Sequence, residues 1–316
     1  KFGYYYTGGI SPSLSEKLTS ENNNNDGAAV VEEKIFGASG DFVTSPEISS
    51  MFGEMIGVWC LEVWNQLNRP RKLQIVELGP GRGTLMHDLL HSISVLGEKK
   101  RSKLVTDFLS STEGSVHMVE ASPQLRQIQQ RTLQRNGVAE KSQNELASEA
   151  KAIKSYCDIP VTWHSEFEQV PDLSTDKDAG ILVLAHEFFD ALPVFQFQYT
   201  DRGWCEVLVD VNDDESSDRR EHFKYVLAPS ATFSNILIEL SPVENKLGNR
   251  IEISPASMGI MEQIGMRLQK QRGASLIIDY GKDEPMGFTL MGIKNHQFTE
   301  TPLESPGEAD LSVFVD

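Results

Sequence analysis

The chain has 316 residues, 39% of them hydrophobic, enough for one large domain or two modest ones with a substantial core. Its formal net charge of −17 argues against sequence-independent nucleic-acid binding, which needs a basic face, and is compatible with a cationic partner. No apolar run reaches the roughly 18 residues of a membrane-spanning helix.

In chain order, the sequence opens at Lys1 within "KFGYYYTGG", so any targeting peptide would lie upstream. "TSENNNNDG" (19–27) reads as a polar loop of low complexity. "GDFVTSPE" holds a turn at Gly40-Asp41 and leads into a predicted amphipathic helix over 46–67, with Pro46 in its first turn and Ser45 as cap. Five buried-strand candidates follow: 73–79, 116–122, 161–167, 181–189 and 274–281. Several are near-continuous apolar runs, which suits parallel strands covered on both faces. Helical patterns at 84–96, 122–135 and 256–271 alternate with them, which predicts an α/β sheet with right-handed crossovers. The polar stretch 137–156 suits an exposed helix. Between 194 and 228 the pattern becomes an antiparallel meander, with the charge run 210–222 at a hairpin tip. Residues 1–70 then read as an N-terminal lid and helix packed on the core, and 71–316 as the core itself. Cys60, Cys157 and Cys205 are far apart and odd in number, which argues against a disulfide framework or a cysteine-rich zinc site. His87, His164 and His296 have no metal-ligand spacing, so no metal is expected.

The most informative stretch is "VELGPGRGT" (76–84), which leaves a strand and enters a helix. Gly79 permits a sharp turn, Gly81 lets ligand atoms approach the backbone, and Gly83 lets the helix pack closely. There is no Lys for a phosphate-cradling loop, and Thr84 stands where a dinucleotide fingerprint has its third glycine. GxGxG after an acid is the pattern of S-adenosylmethionine (SAM) methyltransferases. Glu77 can attract the ammonium of that ligand's amino-acid tail. Glu120 ends the second strand, where a carboxylate can accept both ribose hydroxyls; its plain alternative is an exposed strand-end residue.

These segments, with "GDFVTSPEIS" (40–49), "VEASPQLR" (119–126), "EFFDALPVFQF" (187–197), "LIIDYG" (276–281) and "PGEADLSVFVD" (306–316), together resemble the MidA family. The family comprises SAM-dependent methyltransferases and includes a mitochondrial assembly factor for respiratory complex I. The resemblance covers nearly the whole chain in the right order. It implies a Rossmann-like class I methyltransferase fold. It also implies SAM as cofactor, S-adenosylhomocysteine as product, a matrix location and arginine N-methylation of a core subunit of complex I. Many members read Asn-Glu-Phe-Phe-Asp where this chain has His186-Glu187-Phe188-Phe189-Asp190.

The cofactor-binding residues expected on this reading are Thr44, Ser45, Pro46, Glu77, Gly79, Pro80, Gly81, Gly83, Glu120, Ala121, Ser122, Glu187 and Phe188. The start of the first helix would receive the cofactor's carboxylate; Thr44 with Glu47 also reads as an ordinary capping box. The catalytic candidates are Glu187, Asp190 and His186. Guanidinium stays cationic below a pKa of about 12, and carboxylates offset its repulsion from a sulfonium while orienting its planar fork. Glu187 is the first choice and Asp190 the second, with His186 or a carboxylate taking the released proton. The structural alternatives are a helix cap for Glu187 and Asp190, core packing for Phe188 and Phe189, a satisfied strand-end His186 and a packing role for Tyr280. Two other readings stay open: a non-catalytic assembly chaperone with this fold, and an NAD-dependent oxidoreductase on a related sheet.

Overall fold

The computed structural model describes residues 44–100, 102–112, 116–134, 153–155, 159–212 and 223–315, the last range broken at 242, 284–285, 295–296, 300–301, 305 and 307–308. The tyrosines at 4–6, the asparagine run, the Gly40-Asp41 turn, most of the 137–156 stretch, Cys157, the 213–222 tip and His296 lie outside the described residues. The chain divides into two compact units: residues 1–186 with 261–278, and residues 187–260 with 279–316.

The first unit is built on a six-stranded sheet. Its strands are β1 (Lys72–Leu78), β2 (Val116–Val119), β3 (Ile153–Lys154), β4 (Pro160–His164), β5 (Ala179–His186) and β10 (Arg272–Ile278), in the order β10-β5-β1-β2-β4-β3. All pairings are parallel except β3 with β4. The five predicted strands are therefore all present. The chain runs outward from β1 to β4 on one side, then returns to β5 and β10 on the other. The order thus reverses beside β1, where open α/β sheets bind ligands beyond their strand ends.

Why these runs bury is visible in β1: Leu73 and Ile75 are fully buried in one core with Leu182, Leu184, Val116, Met118, Val161 and Trp163 of the neighbouring strands. The helices α2 (Ser50–Gln66), α3 (Thr84–Lys100) and α4 (Lys103–Ser111) contribute Cys60, Trp64, Met86, Leu89 and Phe108 to that core. Trp64 meets Phe108 edge-on at 5.4 Å, and its indole N–H donates to the Pro70 carbonyl at 2.9 Å, so its one polar atom is satisfied. By strand alternation Glu77 shares the face of Leu73 and Ile75. Helix α5 (Pro123–Leu133) is capped by Ser122, whose hydroxyl accepts the Leu125 N–H at 3.3 Å.

The predicted single helix at 46–67 is two. A four-residue helix, α1 (Ser45–Ile48), is separated from α2 by Ser49, whose φ of −158° is extended. Ser49 caps α2 by accepting the Met51 N–H at 3.2 Å. A hydroxyl able to satisfy a helix-start donor competes locally with continued helix.

The second unit contains the predicted meander, extended by one strand: β6 (Phe195–Thr200), β7 (Gly203–Val211), β8 (Phe223–Leu227) and β9 (Arg250–Ile253), in the order β8-β7-β6-β9, all antiparallel. Phe197, Ile251 and Ile253 form its core. A smaller sheet pairs β12 (Gln297–Thr299), β11 (Met291–Lys294) and β13 (Asp310–Ser312). The helix α6 (Pro255–Lys270) leads back to β10. Among the described residues no helix is long and apolar enough to cross a membrane.

Candidate active site

The glycine turn follows β1 and starts α3. Gly79, Gly81 and Gly83 have φ values of 57°, 53° and 83°, the left-handed region that side chains disfavour. The turn is pinned by its own backbone: the Gly79 N–H donates to Val119 O at 3.0 Å, and the Gly83 N–H to Pro80 O at 2.7 Å. Gln129 of α5 braces it from beside. Its Nε2 donates to Gly81 O at 2.8 Å and to Glu120 Oε2 at 3.1 Å, while its Oε1 accepts the Trp163 indole N–H at 2.8 Å. A Cβ at position 83 would sit 3.4 Å from Gln129. Glu47 braces it from α1, accepting from Thr84 Oγ1 at 2.7 Å and standing 3.6 Å from Arg82 Nη1. This corrects the capping-box reading: Thr44 makes no side-chain cap bond, the Glu47 N–H donates to the Thr44 carbonyl at 2.9 Å, and the Glu47 carboxylate turns to the glycine loop. Thr44 therefore precedes, and Ser45 and Pro46 begin, the helix that carries this brace.

Two acids flank the turn. Glu77 is only 3% exposed, and its Oε2 has no hydrogen-bond partner among the described residues. Burial pushes its carboxyl up to about 8. A buried carboxylate without a counter-charge is unfavourable by several kcal/mol, so this atom calls for a cation or a donor. Glu120 is also buried, and burial pushes it up to about 7. Its Oε1 accepts the Ser122 N–H at 2.7 Å and its Oε2 accepts Gln129. The Ala121 N–H also bonds this carboxylate, so of its roughly four acceptor sites about one is left for a ribose hydroxyl. The residues present thus fit SAM: an orphaned acid for the tail's ammonium, an open glycine backbone, and an acid for the ribose. Ala121 is exposed beside Glu120, and the Ser122 hydroxyl is committed to the cap of α5.

His186 ends β5 with its ring 4.8 Å from that of Phe52. Burial lowers its pKa to about 4, which leaves it neutral and a weak base.

The second unit begins at Glu187, which adopts φ of 48°, rare for a residue with a Cβ. Glu187 Oε1 accepts the Tyr280 hydroxyl at 2.9 Å. Burial and then the nearby Asp279 raise the Glu187 carboxyl, while the Tyr280 bond opposes them. Phe188 and Phe189 meet edge-on at 5.2 Å, and only Phe189 is fully packed away. Asp190 is 8% exposed; its Oδ2 accepts the Ser312 hydroxyl at 2.9 Å and its Oδ1 has no partner among the described residues. Burial, with Asp279 and Glu187 adding to it, pushes Asp190 up to about 7. No helix follows Asp190, so the cap reading falls: the chain makes a short turn and enters β6. Asp279 Oδ2 accepts the backbone N–H groups of Phe189 at 2.9 Å and Asp190 at 3.3 Å. The closing motif is also explained: Val313 N–H donates to Asp190 O at 2.9 Å, and Val315 N–H to Tyr280 O at 2.7 Å.

Residues 55–316 match the protein family described as "Putative S-adenosyl-L-methionine-dependent methyltransferase". The chain belongs to this methyltransferase family. Among its relatives, the mitochondrial protein arginine methyltransferase NDUFAF7 of Mus musculus is 39% identical over 287 residues, covering 90% of this chain and 60% of that one. The Homo sapiens protein of the same name is 37% identical over 287 residues, covering 90% and 59%. The chain therefore spans about 60% of the length of these curated relatives. A Burkholderia thailandensis structure solved with S-adenosyl-homocysteine bound has a TM-score of 0.62 at 23% identity, covering 90% of this chain and 63% of that chain. At that identity the likeness speaks for the fold, which is the α/β methyltransferase type predicted.

Three residues of this candidate site escaped the sequence reading: Glu47, Gln129 and Asp279. Glu47 read as a local cap, and a glutamine inside a helix looks like any surface residue. Asp279 opens the "DYG" motif, which gave a position at a strand end without a partner.

Proposed function

We propose that this chain is the methyl-transferring part of a protein arginine N-methyltransferase that modifies a core subunit of respiratory complex I in the mitochondrial matrix. The family supports SAM as methyl donor. The names of the curated relatives support an arginine acceptor and a mitochondrial address, and the resemblance to the MidA family supports the complex I subunit. Glu77, the glycine turn and Glu120 would hold the cofactor by its ammonium, backbone-facing edge and ribose. When bound, SAM supplies a methyl already activated by its sulfonium.

The observation that carries the acceptor reading is Asp190: a buried carboxylate with one orphaned oxygen, grouped with Glu187 and Asp279. Anionic Glu187 and Asp190 would offset the guanidinium charge and accept its N–H groups, fixing the planar fork. As the nitrogen gains carbon it becomes a better acid, and Asp190, poised at about 7, takes the proton more readily than His186 at about 4.

The test is mass spectrometry of respiratory-chain subunits from cells with and without this protein, searched for methylarginine, alongside Glu187→Gln. A mark that disappears without the protein and with Glu187→Gln, while SAM affinity changes less than about threefold, is expected. A Glu187→Gln protein that still installs the mark removes the acceptor role. Identical methylation with and without the protein removes the enzyme reading.

A further inference from the structure

The geometry points to Asp279 as a positioning residue that holds the Glu187–Asp190 loop from beneath, a role resting on the acceptor reading above. Asp279 directly follows β10 and is half-buried in the same unit as the loop. Its carboxylate is used up by backbone. Oδ2 accepts Phe189 N–H and Asp190 N–H at 2.9 and 3.3 Å, the Phe188 N–H also bonds it, and Oδ1 accepts the Tyr280 N–H at 2.8 Å. With four donors gathered on two oxygens, little capacity is left for a substrate. The division of labour among the three acids follows. Asp279 fixes main chain, while Asp190 keeps an orphaned Oδ1.

The loop needs such a fixture. Glu187 holds φ at 48°, a conformation that persists in a non-glycine residue only where its surroundings over-determine it. The loop has no helix or sheet ladder of its own between Glu187 and Pro193. Other supports include the Leu192 N–H to Phe189 O turn at 3.2 Å, the Val313 N–H to Asp190 O bond, the Ser312 hydroxyl on Asp190 Oδ2 and the Ser254 hydroxyl on Pro193 O. Tyr280 completes the clamp: its N–H is held by Asp279, and its hydroxyl holds the Glu187 carboxylate. The negative charge of Asp279 has a second consequence. It faces both Asp190 and Glu187 and makes each a better proton acceptor.

The experiment compares Asp279→Ala with Asp279→Asn in the ligand-free protein. Asparagine keeps an acceptor oxygen but loses the charge. In Asp279→Ala, hydrogen exchange at the amides of residues 188–190 should rise about tenfold or more, with the β1 and β5 amides unchanged. In Asp279→Asn, those loop amides should keep most of their protection. The Asp190 carboxyl, followed by NMR with carbon-13 aspartate, should titrate lower by about one pH unit. Either unchanged loop exchange in Asp279→Ala or an unmoved Asp190 titration in Asp279→Asn overturns the assignment. Neither measurement uses a substrate. If the loop and the titration behave as expected while no subunit is methylated, the positioning role stands and the acceptor reading falls.

Discussion

A single buried acid, Glu77, would link cofactor binding on the proposed reading to proton release. It is nearly inaccessible, one oxygen is unpartnered, and its carboxyl lies at about 8 in place of 4.5. A raised carboxyl pKa means the folded state holds the proton more tightly than the unfolded chain. The associated stability is complete below about 4.5 and is lost as pH rises through about 8. The ligand-free protein should therefore melt at progressively lower temperature from pH 5 to pH 8, and Glu77→Gln should flatten that slope. An ammonium placed against Glu77 reverses the preference by favouring the anion. SAM binding near neutral pH should thus release protons, read as binding enthalpies that differ between phosphate and Tris buffers. Glu77→Gln should shrink the difference, the remainder coming from Glu120, which burial holds at about 7. Equal enthalpies in both buffers would exclude the ammonium from this pocket. Glu77 was legible because it sits two residues before a glycine turn. Gln129 was not, since its burial arises from Trp163, 34 positions further along the chain, and from the glycine loop.

Elements were legible in proportion to how much of their burial is local. Strands β1, β2 and β5 are near-continuous apolar runs buried along almost their whole length, a pattern written in each strand alone, whereas the edge strand β10 is only partly buried. Strands β9, β11, β12 and β13 have three or four residues each, too few for a period to emerge. Their placement depends on cross-chain anchors such as Glu252, which accepts the N–H groups of Thr289 and Leu290 at 2.8 and 3.1 Å. The "DYG" and "SVFVD" motifs are another such pair, and Gly281 is the point where they meet. A Cβ there would lie 1.6 Å from the Val315 carbonyl oxygen. No rotamer relieves a collision between Cβ and backbone, so Gly281→Ala must push residues 313–315 away. The same segment bonds the Asp190 carbonyl, so the acid loop should loosen with it. Overpacking of this kind destabilises by about 1–3 kcal/mol, which for a chain of this size lowers the melting temperature by a few degrees. Calorimetric unfolding should show that drop, and methyl transfer should fall while SAM affinity in the first unit holds. A melting temperature equal to the parent's would mean the two motifs do not pack as described.

Across the whole molecule the charge is unevenly divided. The second unit carries 21 acidic and 8 basic residues, a net of −13 out of the chain's −17. Composition alone revealed the total but not its segregation, because the second unit is assembled from two separate stretches of sequence. On the proposed function, the consequence concerns the protein substrate more than the cofactor. A basic segment around the target arginine would be drawn to this unit by many weak, solvent-exposed attractions, which set encounter rate more than final affinity. Such attractions are screened over about 8 Å at physiological salt and over about 3 Å at 1 M. Glu77 is buried, and the proposed pairing with the cofactor's ammonium would be far less exposed to ions. Raising sodium chloride from low to high concentration should therefore raise KM for the protein substrate several-fold, leave kcat nearly constant, and move the SAM dissociation constant little. Steady-state methylation with tritiated SAM at fixed pH separates the three quantities. A KM indifferent to salt would place substrate recognition in apolar or buried contacts, and the acidity of the second unit would then have no part in selecting the arginine.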